Sequence, residues 1–337
     1  MSGLTVVVPC FNEGVQTETA HRELTGALGG IEPLEILFVD DGSTDDTLDR
    51  IRGLAERDPR VRYVSFTRNF GLEAAQAAGF AYAGQPWCAQ IDADLQAPPE
   101  EIPNLLEKAA EGYDVVFGIR RDRKDPPLRR FGASAQQWTA RRLLAIDIPP
   151  GASTFRVVRT EVARTLVGLR LGSPYFIAMV PMVGARYAVV ETGHRPRAGG
   201  GSKFRLTRLA GHSFELFFGY SWRPLNAVYL VAALGFALAL LTALFGYAGT
   251  GGATTHAATA ALLSGLALAS TALVGRYLYR LLLDMQRPRP YYIKEANVNL
   301  HPEDTLNNGL PTPPPPAAHP PTAPPSNSSS VPPVVAS

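Results

Sequence analysis

Two carboxylates and a carboxamide stand at alternate positions in the stretch AQIDADLQAPPEEI, residues 89–102. Asp92, Asp94 and Gln96 follow an apolar run typical of a buried strand, and the double proline after them turns the chain away. In extended backbone, side chains two residues apart project to the same side, so we expect the three groups to face one point. Such oxygen ligands suit a hard divalent cation, Mg²⁺ or Mn²⁺. The stretch therefore predicts a metal site, although solvated loop carboxylates often share the D-x-D spacing.

The elements that would position these groups are short apolar runs separated by helical stretches. The runs are at residues 4–8, 34–39, 61–66, 87–91 and 114–118. Uniformly apolar strands that alternate with helices predict a mostly parallel sheet covered on both faces. In such sheets ligands bind beyond the carboxyl ends of the strands, so the polar residues after each strand are the candidates for a site.

Three further strand ends carry suggestive polar groups. They are PCFNEG (9–14), DDGSTDDT (40–47) and TRNFGLEAAQAAG (67–79). Helix capping accounts for the polar residues from Ser43 to Asp46. It does not account for Asp40 and Asp41, two carboxylates at the end of a strand.

Composition excludes several other classes of protein. The net charge of +2 over 337 residues gives no global basic field, so we expect no nucleic acid as a partner. The two cysteines, Cys10 and Cys88, are far apart, and none of the six histidines pairs at a metal-ligand spacing, so neither residue type predicts a metal site.

Residues 224–275 contain no Asp, Glu, Lys or Arg. One bilayer crossing needs about 20 apolar residues, so this run predicts two spans, near 225–248 and 257–281, with a Gly- and Thr-rich break between them. Lys and Arg flank the run but are missing from the break, which places both termini and the large domain in the cytoplasm by the positive-inside rule. We therefore expect a multi-pass protein of the cytoplasmic membrane. A buried hairpin of a soluble protein is the alternative.

Composition divides the whole chain into five parts. They are an α/β domain at 1–203, a basic amphipathic juxtamembrane helix at 204–223, two transmembrane helices at 224–283, a cytoplasmic segment at 284–300 and a proline-rich tail at 301–337. The tail has almost no large apolar residues and is expected to be disordered.

Four motifs, in this order and spacing, resemble the family 2 glycosyltransferases of GT-A fold. They are VVVPCFNEG, EILFVDDGSTDDT, FTRNFGLEAAQAAG and IDADLQAPPEEI. The later segments RAGGGSKF (197–204), SWRPL (221–225) and GRYLYRLLLDMQRPRPYYI (275–293) resemble the polyprenyl-phosphate glycosyltransferases, such as dolichol-phosphate mannose synthases and bacterial undecaprenyl-phosphate glucosyltransferases. The resemblance implies an α/β fold: a Rossmann-like GT-A domain with a mostly parallel sheet, followed by two C-terminal transmembrane helices.

The resemblance also implies residue roles. Nucleotide binding is implied for Pro9, Asn12, Glu13, Asp40 and Asp92. Metal binding is implied for Asp92, Asp94 and Gln96, and a catalytic role for Asp94 and Arg120. Contact with the acceptor phosphate is implied for Arg130, Ser134, Arg197 and Lys203.

The implied reaction is metal-dependent, inverting transfer of a sugar from a nucleotide-diphosphate sugar to a membrane polyprenyl phosphate. The product is a lipid-linked sugar for cell-envelope glycan synthesis or glycosylation. A UDP-sugar is favoured and GDP-mannose is the alternative; a homo-oligomer is left open. A processive family 2 polymerase is a rival enzyme, and such polymerases usually carry the signature Q-x-x-R-W. Residues 136–142, QQWTARR, contain these letters in a different order, which argues against that alternative. A non-catalytic membrane scaffold that binds nucleotide sugar is the rival from another class.

Overall fold

The computed structural model describes residues 3–120, 151–169, 176–195, 223–247, 252–286 and 290–301, together with residue 142. Within these residues the strands are β1 Leu4–Cys10, β2 Leu34–Asp40, β3 Val61–Phe66, β4 Trp87–Gln90, β5 Val115–Arg120, β6 Arg156–Arg159, β7 Tyr187–Thr192 and β8 Ile293–Ala296. The helices are α1 Gly14–Leu28, α2 Thr47–Arg57, α3 Leu72–Tyr82, α4 Ile102–Ala110, α5 Thr160–Gly168, α6 Phe176–Met179, α7 Arg223–Tyr247 and α8 Ala253–Gln286. Short 3-10 helices cover Pro99–Glu101 and Val180–Val183.

The described strands form one mixed sheet in the order β7-β5-β6-β4-β1-β2-β3-β8. β1 pairs in parallel with β2 and β4, β2 with β3, and β5 with β7. β6 runs antiparallel between β4 and β5, and β8 runs antiparallel to β3. The mostly parallel sheet with alternating helices confirms the predicted α/β class and fits a Rossmann-like GT-A domain.

The central strands are buried on both faces, which explains why they read as uniform apolar runs. In β1, Val6 and Val8 belong to the core layer shared with α1, α2 and α4, whereas Val7 belongs to the layer shared with α3 and α5. This burial fixes the sheet register, because a slip of one residue would exchange the two faces. The register in turn brings the carboxyl ends of β1, β2 and β4 to one edge of the sheet.

The long C-terminal helices fulfil the membrane prediction in part. In α8, His256–Tyr279 is long and apolar enough to cross a bilayer, with a mean hydropathy of 1.8. The apolar stretch of α7, Val228–Leu244, is shorter and lies at the lower limit of about 17 residues for a span. Among the described residues, one helix therefore meets the criterion for a membrane span.

An ion cluster joins α1 to the turn before β3. Asp58 accepts hydrogen bonds from the Arg60 guanidinium and lies 2.8 Å from Nε2 of His21. The Arg60 hydrogen bonds hold the pKa of Asp58 well below its usual range. A depressed carboxyl pKa stabilises the fold above the unfolded pKa of about 3.9, and that stabilisation is lost as pH falls through the folded pKa.

We therefore expect Asp58→Asn to lower the free energy of unfolding by about 1–3 kcal/mol at pH 7. The difference from wild type should narrow as pH falls below about 4. Denaturant titrations at a series of pH values measure both effects. Asp49→Asn, which removes an exposed carboxylate paired with Arg52, is the control and should change stability by less than about 0.5 kcal/mol. If the difference in unfolding free energy between Asp58→Asn and wild type did not depend on pH, the stabilising role of the ionised Asp58 carboxylate would be contradicted.

Candidate functional site

A cleft of about 370 Å³ opens at the carboxyl edge of the sheet, where β1, β2 and β4 end. Its lining comes from four chain segments that are distant in sequence. The lining residues are Pro9, Cys10, Phe11, Glu13, Asp41, Asn69, Gly71, Leu72, Ala75, Asp92 and Asp94. Predicted site residues from the first and fourth strand ends therefore meet in one cavity.

Asp92 and Asp94 reach the cleft through a turn, not through extended backbone. β4 ends at Gln90, the Leu95 N–H donates to the Asp92 carbonyl at 3.0 Å, and Leu95 has a φ of 49°. The expectation that alternate side chains project from an extended strand is therefore wrong, because the chain has already turned. Gln96 stays in the cluster because its side-chain amide donates to the Asp94 carboxylate at 2.9 Å.

The first strand end forms another part of the cleft wall. Pro9 and Glu13 line it directly. Asn12, which has a φ of 54°, accepts the Thr44 N–H at 2.8 Å and so holds the loop that follows β2. Asn12 therefore shapes the wall through this loop.

Asp40 and Asp41 have different positions. Asp40 is 1% exposed and accepts hydrogen bonds from the Ser43 N–H and the Ser65 hydroxyl. Asp41, which was not among the predicted binding residues, is the one that lines the cleft. The structure thus places Asp40 behind the cavity wall, and its contact with a nucleoside stays a prediction.

Arg120 ends β5 and is exposed beside the two carboxylates. Its positive charge adds to the lowering of the His194 pKa and opposes the rise in the Asp92 pKa. Arg120 and Asp94, the two predicted catalytic residues, are thus both close enough to His194 for their charges to act on its pKa.

His194 also belongs to this region, and the sequence spacing gave no signal for it. The pKa of His194 is lowered by burial and by the charge of Arg120, while Asp94 opposes the shift. Its position is set by Arg195, whose backbone N–H donates to the Gln96 carbonyl at 2.8 Å and whose guanidinium pairs with Glu23 and Glu100.

A buried cation lies beneath the cleft. Arg156 in β6 is 1% exposed and donates to the side-chain carbonyl oxygens of Gln76 in α3 and Gln90 in β4. Its guanidinium carbon also lies 3.8 Å from the ring centre of Phe176. Arg156 therefore joins three elements that surround the site, a role that its sequence context did not reveal.

Asp92 can be reached from the cleft, yet the protein packed around its carboxyl group raises its pKa. The Thr154 hydroxyl, which donates to it at 3.0 Å, opposes this shift, the negative charge of Asp94 adds to it, and the charge of Arg156 opposes it. Two close carboxylates that repel each other in this way are typical of a site that binds a cation.

The donor set fits a hard divalent cation. Two carboxylates line the cleft, and the Gln96 carboxamide is held on one of them. Within the described residues, no group of three or more His, Cys, Asp or Glu side chains could hold a metal ion. The amide oxygen of Gln96 is the third candidate ligand beside the two carboxylates. The predicted acceptor contacts Arg130, Ser134, Arg197 and Lys203 lie outside the described residues.

Solved structures that are similar to this chain include two glycosyltransferases. A mannosyltransferase from Pyrobaculum calidifontis in complex with GDP-Man and Mn²⁺ is 20% identical, with a TM-score of 0.47, covering 84% of this chain and 86% of that one. Glucosyl-3-phosphoglycerate synthase from Mycobacterium tuberculosis in complex with Mn²⁺ and UDP is 19% identical, with a TM-score of 0.45, covering 65% and 78%.

Sequence comparison gives longer and stronger matches. Residues 5–167 match the family described as Glycosyl transferase family 2. An uncharacterized glycosyltransferase, YkcC of Bacillus subtilis (strain 168), is 31% identical over 308 residues, which cover 88% of this chain and 94% of the relative. An undecaprenyl-phosphate 4-deoxy-4-formamido-L-arabinose transferase of Pseudomonas paraeruginosa is 33% identical over 316 residues, covering 89% and 91%. The chain therefore belongs to glycosyl transferase family 2.

Proposed function

We propose that this glycosyltransferase moves a sugar from a nucleotide-diphosphate sugar to a membrane polyprenyl phosphate. The observation that carries the proposal is the cleft that the Asp92–Asp94 turn lines together with the end of β1 and the loop before α3. Support for the lipid acceptor comes from the Pseudomonas relative, whose name states an undecaprenyl-phosphate substrate, and from the apolar helix α8.

Donor binding is assigned to the cleft wall. We infer that Pro9 and Glu13, together with Asp41, surround the nucleoside, because these residues line the same cavity as the carboxylate turn. A UDP-sugar remains the favoured donor and GDP-mannose the alternative. Carboxylates accept a hydrogen bond from an N–H of either base, so the wall alone does not choose between them.

Asp92, Asp94 and the carbonyl oxygen of Gln96 would hold Mg²⁺ or Mn²⁺. Such a cation, when bound, neutralises negative charge that develops on the departing nucleoside diphosphate. Thr154 holds one carboxylate and Gln96 the other, so the protein orients both groups before a cation arrives.

The acceptor needs positioning more than activation. A phosphate monoester has a second pKa of about 6 and is mostly ionised at pH 7, so no general base is required to make the nucleophile. It has to be held close to the donor diphosphate in spite of their repulsion. Arginine suits this task because its planar guanidinium can grip two phosphate oxygens. We propose that Arg120, exposed at the end of β5, serves this purpose as a catalytic residue near the phosphates. Arg130, Ser134, Arg197 and Lys203 are proposed to complete the acceptor contacts.

The acceptor is a lipid, so the domain has to work at the bilayer surface. We propose that α7 and α8 both span the cytoplasmic membrane, with the catalytic domain and both termini on the cytoplasmic side. Basic residues before α7 and towards the end of α8 support this orientation.

Transfer of a radiolabelled sugar into butanol-extractable lipid tests the proposal. Purified protein in detergent with Mn²⁺, polyprenyl phosphate and a labelled UDP- or GDP-sugar should give a labelled lipid. Protein that binds the nucleotide sugar but labels no lipid would instead be a scaffold, and the proposal would be abandoned.

Donor identity can be read from thermal stability. We expect one class of nucleotide sugar, supplied with Mn²⁺, to raise the melting temperature of the purified protein. At 100 times its dissociation constant, a specific ligand adds about 2.7 kcal/mol to the free energy of unfolding. UDP-sugars are expected to do this. Stabilisation by GDP-mannose alone would reverse the preference.

A further inference from the structure

The chain returns to the catalytic sheet after its long apolar helices. β8 pairs with the outer edge of β3. We call residues 290–301 the β8 segment. The Arg52 guanidinium donates to both carboxylate oxygens of Glu295 at 2.8 and 2.6 Å. The Asn297 side chain accepts the Tyr63 N–H at 2.6 Å, which makes the outer attachment of the segment specific.

The other end of the β8 segment contacts the loop that follows β3. The Tyr291 ring is 3% exposed and stacks on Phe66 with ring centres 4.9 Å apart. The Tyr292 carbonyl accepts the Thr67 N–H at 3.0 Å, and the Tyr292 ring lies 6.1 Å from that of Phe70. The Tyr291 contact therefore fixes the end of β3, and one aromatic contact and a backbone hydrogen bond hold the loop that follows it.

The same loop forms part of the cleft. Asn69 and Gly71 line the cavity on either side of Phe70. The backbone N–H groups of Phe70 and Gly71 donate to the Asp41 carboxylate at 2.7 and 2.9 Å. Phe70 is thus held by Asp41 through its backbone and by Tyr292 through its ring.

We propose that Tyr292 is a positioning residue for donor binding, which acts by holding Phe70 and with it the cleft wall at Asn69 and Gly71. The β8 segment is then a working part of the donor site, supplied by chain that lies beyond the apolar helices. Only the identity of the ligand, a nucleoside diphosphate, rests on the proposed function; the contacts with the loop do not.

Tyr292→Ala in the full-length protein tests the proposal. The probe is UDP or GDP, whichever the wild-type protein binds in the presence of Mn²⁺. Isothermal titration calorimetry measures its dissociation constant. An aromatic contact of this kind contributes about 0.5–1.5 kcal/mol, so the dissociation constant should rise about 2- to 10-fold. Tyr292→Phe, which keeps the ring, should restore wild-type binding.

Arg52→Gln is the matched control. It breaks the ion pair at the outer side of the same segment, away from the loop, and should leave nucleotide affinity within about twofold because an ion pair with this exposure contributes little. The proposal would be overturned if Tyr292→Ala bound the nucleotide with unchanged affinity, or if Arg52→Gln lost as much affinity as Tyr292→Ala. The β8 segment would then have a structural role only.

Hydrogen exchange separates this inference from the proposed function. The amides of Thr67, Phe70 and Gly71 should exchange faster in Tyr292→Ala than in wild type and Arg52→Gln, with or without nucleotide. If the wild-type protein binds neither UDP nor GDP, the proposed function fails, whereas faster exchange at the loop still supports the positioning role. Unchanged exchange at these amides overturns it.

Discussion

Replacing Asp94 by asparagine is expected to lower sugar transfer by at least about 100-fold while the fold stays intact. Asp94 lines the cleft, and its carboxylate is one of two that would hold the divalent cation. Loss of groups that only support metal ligands already costs about 10- to 100-fold, so loss of a charged ligand should cost more. Folding should change by less than about 0.5 kcal/mol, because the residue is partly exposed and asparagine has nearly the same shape.

Initial rates over a range of Mn²⁺ concentrations measure this effect, and far-UV circular dichroism checks the fold. Asp46→Asn is the control, since Asp46 is an exposed carboxylate that pairs with Arg50 outside the cleft. Near-normal turnover of Asp94→Asn at limiting Mn²⁺ would show that the metal assignment is wrong.

Replacing Gly42 by alanine is expected to lower the free energy of unfolding by about 2–5 kcal/mol. Gly42 follows Asp41 with a φ of 65°, a left-handed conformation that costs a residue with a side chain about 1–2 kcal/mol. A Cβ at this position would also overlap the backbone of Arg68, whose Cα would lie 2.7 Å away. Crowding of this kind costs about 1–3 kcal/mol, and here backbone has to move.

Denaturant titration of the detergent-solubilised protein measures how far Gly42→Ala lowers the free energy of unfolding. Gly26→Ala is the matched control: Gly26 lies in α1 with open space around its Cα, so alanine should stabilise the protein by about 0.5–1 kcal/mol. Equal stability of Gly42→Ala and wild type would show that the turn after β2 is not constrained as described.

The central sheet could be predicted because strands that are buried on both faces consist of uniformly apolar residues. β3 has the predicted bounds, 61–66, and β2 extends one residue beyond its prediction. Adjacent apolar residues with no polar alternation admit few other interpretations. In contrast, β8 is a four-residue edge strand, IKEA, whose stability depends on pairing with distant β3, so local pattern could not reveal it.

The sequence predicted which residues line the site better than it predicted how they are arranged. The Asp92–Asp94 pair is in the cleft, but the left-handed Leu95 turns the chain, and no period in the sequence reports such a turn. His194 and Arg156 approach the carboxylates only through the fold, since each belongs to a strand end or strand remote in sequence. The roles of Arg130 and Lys203 stay predictions, because both lie outside the described residues.

The position of β8 in the chain also has a consequence for biosynthesis. β3 is complete at Phe66, whereas its outer partner Ile293–Ala296 emerges from the ribosome only after both long apolar helices. At about 5–20 residues per second, the β3 edge waits roughly ten to fifty seconds for its partner. An unpaired strand edge is a template for wrong pairing with another chain, so the nascent protein is most exposed to aggregation during this interval. Stalled or truncated chains that lack the final strand would keep that edge open.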